Sequence, residues 1–187
     1  MVRLCVVVAL FTPSDLIFIA KRRNEDPFAL HWAVLSLIFL YLSIDEGAHI
    51  HETIGTTLSL RFTGITHGFL RYTWVIYGIG LVVIVASYYL KFLAHLPHKT
   101  MRLFILAGLI YVGGALGMEM VNGRYAELYG SQNFSYQMMT VTEEFLEMAG
   151  IVTFIYALMS YMGSEIRAVS INIEGKDSPA PNSGETK

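Results

Sequence analysis

Four long apolar runs, separated by short polar stretches, leave this chain few ways to fold. They are about 29–49 (ALHWAVLSLIFLYLSIDEGAH), 72–93 (YTWVIYGIGLVVIVASYYLKFL), 102–122 (RLFILAGLIYVGGALGMEMVN) and 143–162 (EEFLEMAGIVTFIYALMSYM). A helix needs roughly 20 apolar residues to cross about 30 Å of hydrocarbon, and each run supplies them. A fifth run, 4–20 (LCVVVALFTPSDLIFIA), is weaker because Pro13 and Asp15 interrupt it. A signal peptide fits it poorly: the apolar region is short, no A-x-A cleavage site follows, and the main positive cluster comes after it. It reads instead as a kinked spanning helix. The expected fold is all-α, a polytopic transmembrane helix bundle of four strong spans plus the weaker N-terminal one.

Composition agrees. Apolar residues and Tyr make up 54% of the 187 residues and charged residues 15%, against about 25% charged in soluble domains. The net charge of −2 offers no basic face for nucleic acid. A single Cys excludes a disulfide framework and CxxC zinc or redox motifs. The bundle is expected over 1–163. The tail 164–187, rich in Ser, Gly, Pro and Asn, is expected to be disordered.

Lys and Arg gather in cytoplasmic loops. Lys21, Arg22, Arg23, Lys91, Lys99, Arg102 and Arg167 fall on one side of the expected topology, and Arg61, Arg71 and Arg124 on the other. The bias puts the N-terminus outside and the C-terminus in the cytoplasm.

On that topology the acids converge. Asp45, Glu46 and Glu52 lie at the outer end of the second segment, Glu119 near the outer end of the fourth, and Glu143, Glu144 and Glu147 at the outer start of the fifth. His49 and His51 share their level. At 100° per residue, Asp45, His49 and Glu52 fall within about 60° of one another. Glu143 and Glu147 are four apart, and Gly150 continues their face. Glu119 shares a stripe with Gly108, Val112 and Ala115, beside the small-residue pair Gly113 and Gly117.

Charged acids inside a membrane are costly, and clustered carboxylates repel one another unless protons, arginines or a metal compensate. Carboxylates with one or two imidazoles suit Fe, Mn or Zn, and helical di-metal proteins use Glu with E-x-x-H pairs. Glu46-x-x-His49, Glu119 and Glu144-x-x-Glu147 supply most of that pattern. The expected metal ligands are Glu46, His49, Glu119 and Glu147, with Asp45, Glu52 and Glu144 beside them. Tyr41, Tyr125 or Arg124 would orient them. A bound metal would activate water or oxygen on a membrane-dissolved substrate.

Two other readings stand beside it. The same groups could relay protons or conduct a cation, or they could be polar glue in a subunit of a membrane complex or a homo-oligomer, with Gly113 and Gly117 at the partner surface. For Glu143 and Glu144 the plain alternative is a helix N-terminus capped by Thr140 or Thr142. His31, beside Trp32, reads as an interfacial anchor, and His67 as a loop residue within reach of the site. Haem is disfavoured, since only His49 and His67 share a side.

No Walker-type loop, G-x-G-x-x-G after a strand or G-x-S-x-G elbow is present, so neither nucleotide binding nor that hydrolase chemistry is expected. Glu143-Glu144 is similar to the glutamate pair of CAAX-protease-like enzymes, but that family continues E-E-x-x-x-R and position 148 is Met. Over about 29–162 the chain resembles an uncharacterised family of bacterial multipass membrane proteins. LSIDEGAHIHE (42–52), GGALGMEMVNGRYAE (113–127) and TVTEEFLEMAG (140–150) carry the resemblance. It implies a location in the bacterial cytoplasmic (inner) membrane, with the lipid bilayer as surroundings, and no particular reaction.

Overall fold

A computed structural model describes residues 14–22, 25–48, 50–61 and 67–176, without the side chains of 46, 52, 58–61 and 165–176. Among the described residues the chain is helical throughout, with no strand. Residues 14–22 form α1. Then come α2 (Ala29–Ala48), α3 (Ile50–Arg61), a 3-10 turn (Gly68–Leu70), α4 (Trp74–His95), α5 (His98–Val112), a π-helical turn (Gly113–Met118), α6 (Glu119–Tyr129) and α7 (Phe134–Lys176).

Local chemistry sets the boundaries. Pro97 lacks an N–H and disfavours helix in the residue before it, so α4 stops at His95 and α5 starts at His98 in a tight reversal. Gly130 stops α6 with φ +79°, a conformation that costs glycine little. Asn133 then opens α7. Its Oδ1 accepts the N–H of Tyr136 at 2.9 Å and its Nδ2 donates to the Gly130 carbonyl at 2.9 Å. The Tyr125 hydroxyl also donates to Asn133 Oδ1, at 3.3 Å. Asn133→Ala is expected to lower stability by about 1–2 kcal/mol, read as the unfolding midpoint in detergent.

That cap corrects the boundary drawn from composition. α7 begins at Phe134, so Glu143 and Glu144 lie inside a helix and not at its N-terminus. Thr140 and Thr142 do not cap; their hydroxyls donate to the carbonyls of Tyr136 (3.2 Å) and Met138 (2.9 Å), four residues back. At the other end α7 runs on past position 164 to Lys176, while 177–187 lie outside the described residues.

Three helical stretches are long and apolar enough to cross a membrane: Trp74–His95, His98–Tyr129 and Phe134–Ser164. Ala29–Asp45 is a shorter apolar helix, because Asp45 and Glu46 end its run. Of the expected weak N-terminal span, residues 1–13 lie outside the described part. Only 22–28% of the spanning stretches is buried inside the chain. Their outward faces are apolar, with Ile84, Leu90, Leu109, Phe145, Val152 and Met159 exposed. A monomer in water rarely exposes apolar patches of that extent; hydrocarbon solvates them.

The core sits at the end of the bundle where α4 turns into α5. Trp32 of α2 is 1% exposed, stacked on Tyr161 of α7 at 5.1 Å and edge-on to Phe92 of α4 at 5.0 Å. His31 and Trp32 therefore do not form an interfacial anchor. Trp32 fills the core, and His31 stacks between Tyr88 (4.6 Å) and Phe92 (5.4 Å). Ser36 donates to Asp15 at 2.7 Å and ties α1 to α2. With this end filled by aromatic rings, the opposite end is where the polar side chains meet.

Candidate functional site: an acid-lined cavity

Where α5 passes into α6, the run GGALGM opens into a π-helical turn. Such wide turns recur at functional sites, and glycine-rich sequence accommodates them. Gly114 sits here against the backbone of α7: a Cβ would lie 3.0 Å from the Glu147 nitrogen and 3.1 Å from the Glu143 carbonyl oxygen. One turn further along α7, Gly150 receives Tyr111, whose backbone nitrogen would lie 2.7 Å from an added Cβ. The two helices thus approach to backbone contact, and Glu143 and Glu147 are held beside the π turn and Glu119, which follows it. Gly108, Gly113 and Gly117 meet only open space among the described residues.

A cavity of about 170 Å³ lies at this junction. α2 contributes Tyr41 and Asp45, α3 His51, α4 Trp74 and Tyr77, the α5–α6 stretch Tyr111 and Glu119, and α7 Glu143 and Glu147. Among the described residues, four carboxyl groups and one imidazole face it, and no Lys or Arg lines it.

The carboxyl groups have distinct partners. Asp45 takes the backbone N–H of His51 on Oδ1 (2.9 Å) and faces the ring Nδ1 of His51 with Oδ2 (2.8 Å), which fixes the first turn of α3. The His51 ring packs on Trp74 at 4.9 Å. The indole N–H of Trp74 donates to Glu119 Oε1 at 3.3 Å. The Glu119, Glu143 and Glu147 carboxyl groups face the same cavity. Asn122, 1% exposed, donates from Nδ2 to Glu143 Oε2 at 2.5 Å, while its Oδ1 is buried without a partner among the described residues. Tyr41 and Tyr77 both stand on the wall, and the hydroxyls of Tyr72 and Tyr136 meet at 2.9 Å.

Of the expected ligands, Asp45, Glu119 and Glu147 line this cavity. Glu144 is exposed on another face of α7 and does not. His49 lies outside the described residues, as do the side chains of Glu46 and Glu52. Among the described residues, no three His, Cys, Asp or Glu side chains are grouped so as to hold one ion.

Tyr41 reaches the cavity, whereas Tyr125 turns to Asn133 and Arg124 to Glu127 (3.2 Å). His67 stays away from the cavity. Its ring is 3.6 Å from Glu127, which also accepts the Gly68 N–H at 2.6 Å, so this loop is clasped to α6. Glu143 and His51 were expected at this level but not among the ligands, and Trp74, Tyr77 and Tyr111 of the lining were not expected at all. Two sequence signals pointed to the acidic part: Asn122 lies one helical turn from Glu119, and Glu143 one turn from Glu147.

A sequence pattern shared by a known family covers nearly all of these elements. The chain belongs to the family described as Domain of unknown function (DUF8692). Its match runs over residues 1–161 and takes in every residue that lines the cavity. It also takes in residues 1–28, which the resemblance over 29–162 left out. No curated protein and no solved structure matches the chain. Membership of the family brings no activity with it, so function has to be argued from the cavity.

Proposed function

We propose that this is a multipass protein of the bacterial cytoplasmic membrane whose cavity takes up and releases a proton, as the coupling site of a transporter. The gathering of Glu119, Glu143 and Glu147 around one cavity carries this reading. Two carboxylates this close cannot both stay charged without a proton or cation between them. Among the described residues no Lys or Arg of the cavity wall compensates them, and Glu147 adds to the repulsion. Ionisable groups placed within membrane-spanning helices are costly, and they mark ion and proton pathways more often than they serve packing. Opening the cavity to an aqueous phase lets the pair lose its shared proton; a cation arriving in its place restores the balance.

Infrared difference spectroscopy of the reconstituted full chain tests this. A protonated-carboxyl C=O band should disappear as pH rises and should be absent in Glu143→Gln. A spectrum with no such band at any pH would overturn the proton reading.

The Asp45–His51 pair favours a second reading. A carboxylate that fixes an imidazole tautomer is the usual support of a metal-ligating histidine. In that case Fe, Mn or Zn would be held through His51, and the carboxyl groups of the cavity would have to close on the ion, since the described side chains are not grouped to hold one. Elemental analysis after chelator-free purification should then give about one metal per chain, lost in Glu119→Ala; metal-free protein that retains the titrating carboxyl band supports the proton reading.

A further inference from the structure

We propose that residues 67–73 are a gate to the cavity, a strap that closes the groove between α6 and α7 and swings about Thr73 to admit water. The inference deepens the transporter reading above and rests on it, naming the way by which the cavity meets the aqueous phase.

The strap is fastened to three helices. Its first residues are clasped to α6, where the Glu127 carboxylate accepts the Gly68 N–H at 2.6 Å and stands 3.2 Å from Arg124 and 3.6 Å from His67. In its middle, Arg71 and Tyr72 lie on Gly123 of α6. A Cβ at Gly123 would be 3.2 Å from Arg71 Cβ and 3.2 Å from Tyr72 Cδ2. At its end the Tyr72 hydroxyl meets that of Tyr136 on α7 at 2.9 Å, and the buried Thr73 hydroxyl donates to the Gly55 carbonyl of α3 at 2.5 Å.

What lies beneath makes the strap a cover. Tyr136, Thr140 and Glu143 share one face of α7, since steps of four and seven residues nearly complete whole turns. The Tyr72–Tyr136 contact therefore stands two turns from Glu143 along the groove. Asn122, which holds Glu143, directly precedes the Gly123 that Tyr72 covers. The residue after the strap, Trp74, lines the cavity. The opposite end of the bundle is filled by the rings of Trp32, Phe92 and Tyr161, so the strap closes the wetter end.

Its two ends are held unequally. Ion pairs of exposed side chains are weak and screened by salt, and His67 is largely exposed and Arg124 partly so. The Thr73 bond is buried and keeps its strength. Gly68, at φ +65°, turns the chain as glycine does at little cost. The strap accordingly releases at Glu127 first and pivots at Thr73, as segments of low local stability do. Opening lifts Tyr72 from Gly123 and Tyr136 and brings water to the groove beside Asn122.

The test reads entry of water at Thr140, a groove position outside the cavity lining. Thr140→Cys is made in the full chain with Cys5→Ser and reconstituted in lipid nanodiscs. The rate of labelling by a water-soluble methanethiosulfonate is measured with the strap intact and weakened. Glu127→Ala should raise the rate about tenfold or more, because it removes a charged acceptor and both ion pairs. Glu127→Gln keeps an acceptor for the Gly68 N–H and should fall between the two. Gly123→Ala, which wedges Tyr72 outward without changing any charge, should also raise the rate.

Full reactivity of Thr140→Cys in the parent, or one rate in all four proteins, overturns the gate. With the infrared carboxyl band intact, either result leaves the proton reading standing. Absence of that band overturns the proton reading, and the labelling rates still decide the gate separately.

Discussion

Glu143→Gln and Glu119→Gln should each abolish proton release on cation binding, and the double variant should be no worse than either single one. The two carboxyl groups act as one site, so their losses cannot add. Glu144→Gln is the matched control, one position along α7 on an exposed face outside the cavity, and should leave proton release unchanged. The functional loss should come with a gain in stability. A neutral amide at position 143 removes repulsion from Glu119 and Glu147 and still accepts from Asn122 through its carbonyl oxygen. Relief of this kind is worth roughly 1 kcal/mol, seen as a higher unfolding midpoint. A site that strains the fold and is needed for function predicts opposite signs in the two measurements. A purely structural cluster predicts that proton release never occurs in the parent protein.

The largest structural effect is expected at Gly150. An alanine there would place Cβ at 2.7 Å from the backbone nitrogen of Tyr111 and 2.9 Å from its Cα. Backbone atoms cannot rotate away, so α5 and α7 must part. Overpacking of this sort costs about 1–3 kcal/mol. Because Tyr111 also lines the cavity, cation binding should weaken in parallel. Gly113→Ala and Gly117→Ala are the internal comparison. Both positions are open among the described residues, and alanine improves helix propensity by up to about 1 kcal/mol. Thermal unfolding of the four proteins in one detergent should rank Gly150→Ala far below the parent and the other two at or above it. Equal midpoints would mean that α5 and α7 are not in backbone contact.

The sequence made the apolar architecture legible because lipid imposes one period and one length on every span. The acids at 45, 119 and 147 were equally legible, since residues at equal depth on antiparallel helices must be neighbours or face lipid. Three features escaped for physical reasons. The cap at Asn133 competes with a polar stretch that carries no apolar period, so α7 starts nine residues before Glu143. The π turn at Gly113–Met118 alters the helical phase in a way that a fixed 100° step does not follow. The aromatic half of the cavity escaped because Trp74, Tyr77 and Tyr111 look like ordinary span residues until the tertiary fold turns them inward. Small residues guided at Gly150, expected to let a neighbour approach the Glu143–Glu147 face and packed there against Tyr111, and misled at the G-x-x-x-G pair, where Gly114 between them makes the close contact instead.

The account depends on Glu119 and Glu143 facing each other inside the membrane, and pairwise cross-linking reads that directly. Cys5, the single native cysteine, is first replaced by Ser. A Glu119→Cys/Glu143→Cys pair is then treated in native membranes with a short thiol-specific bifunctional reagent, alongside a Glu119→Cys/Glu144→Cys pair. The first pair should be bridged within one chain, leaving no thiol for later labelling, while the second keeps both thiols open to it. Equal bridging of the two pairs, or none in the first while each single cysteine reacts, would contradict a shared cavity.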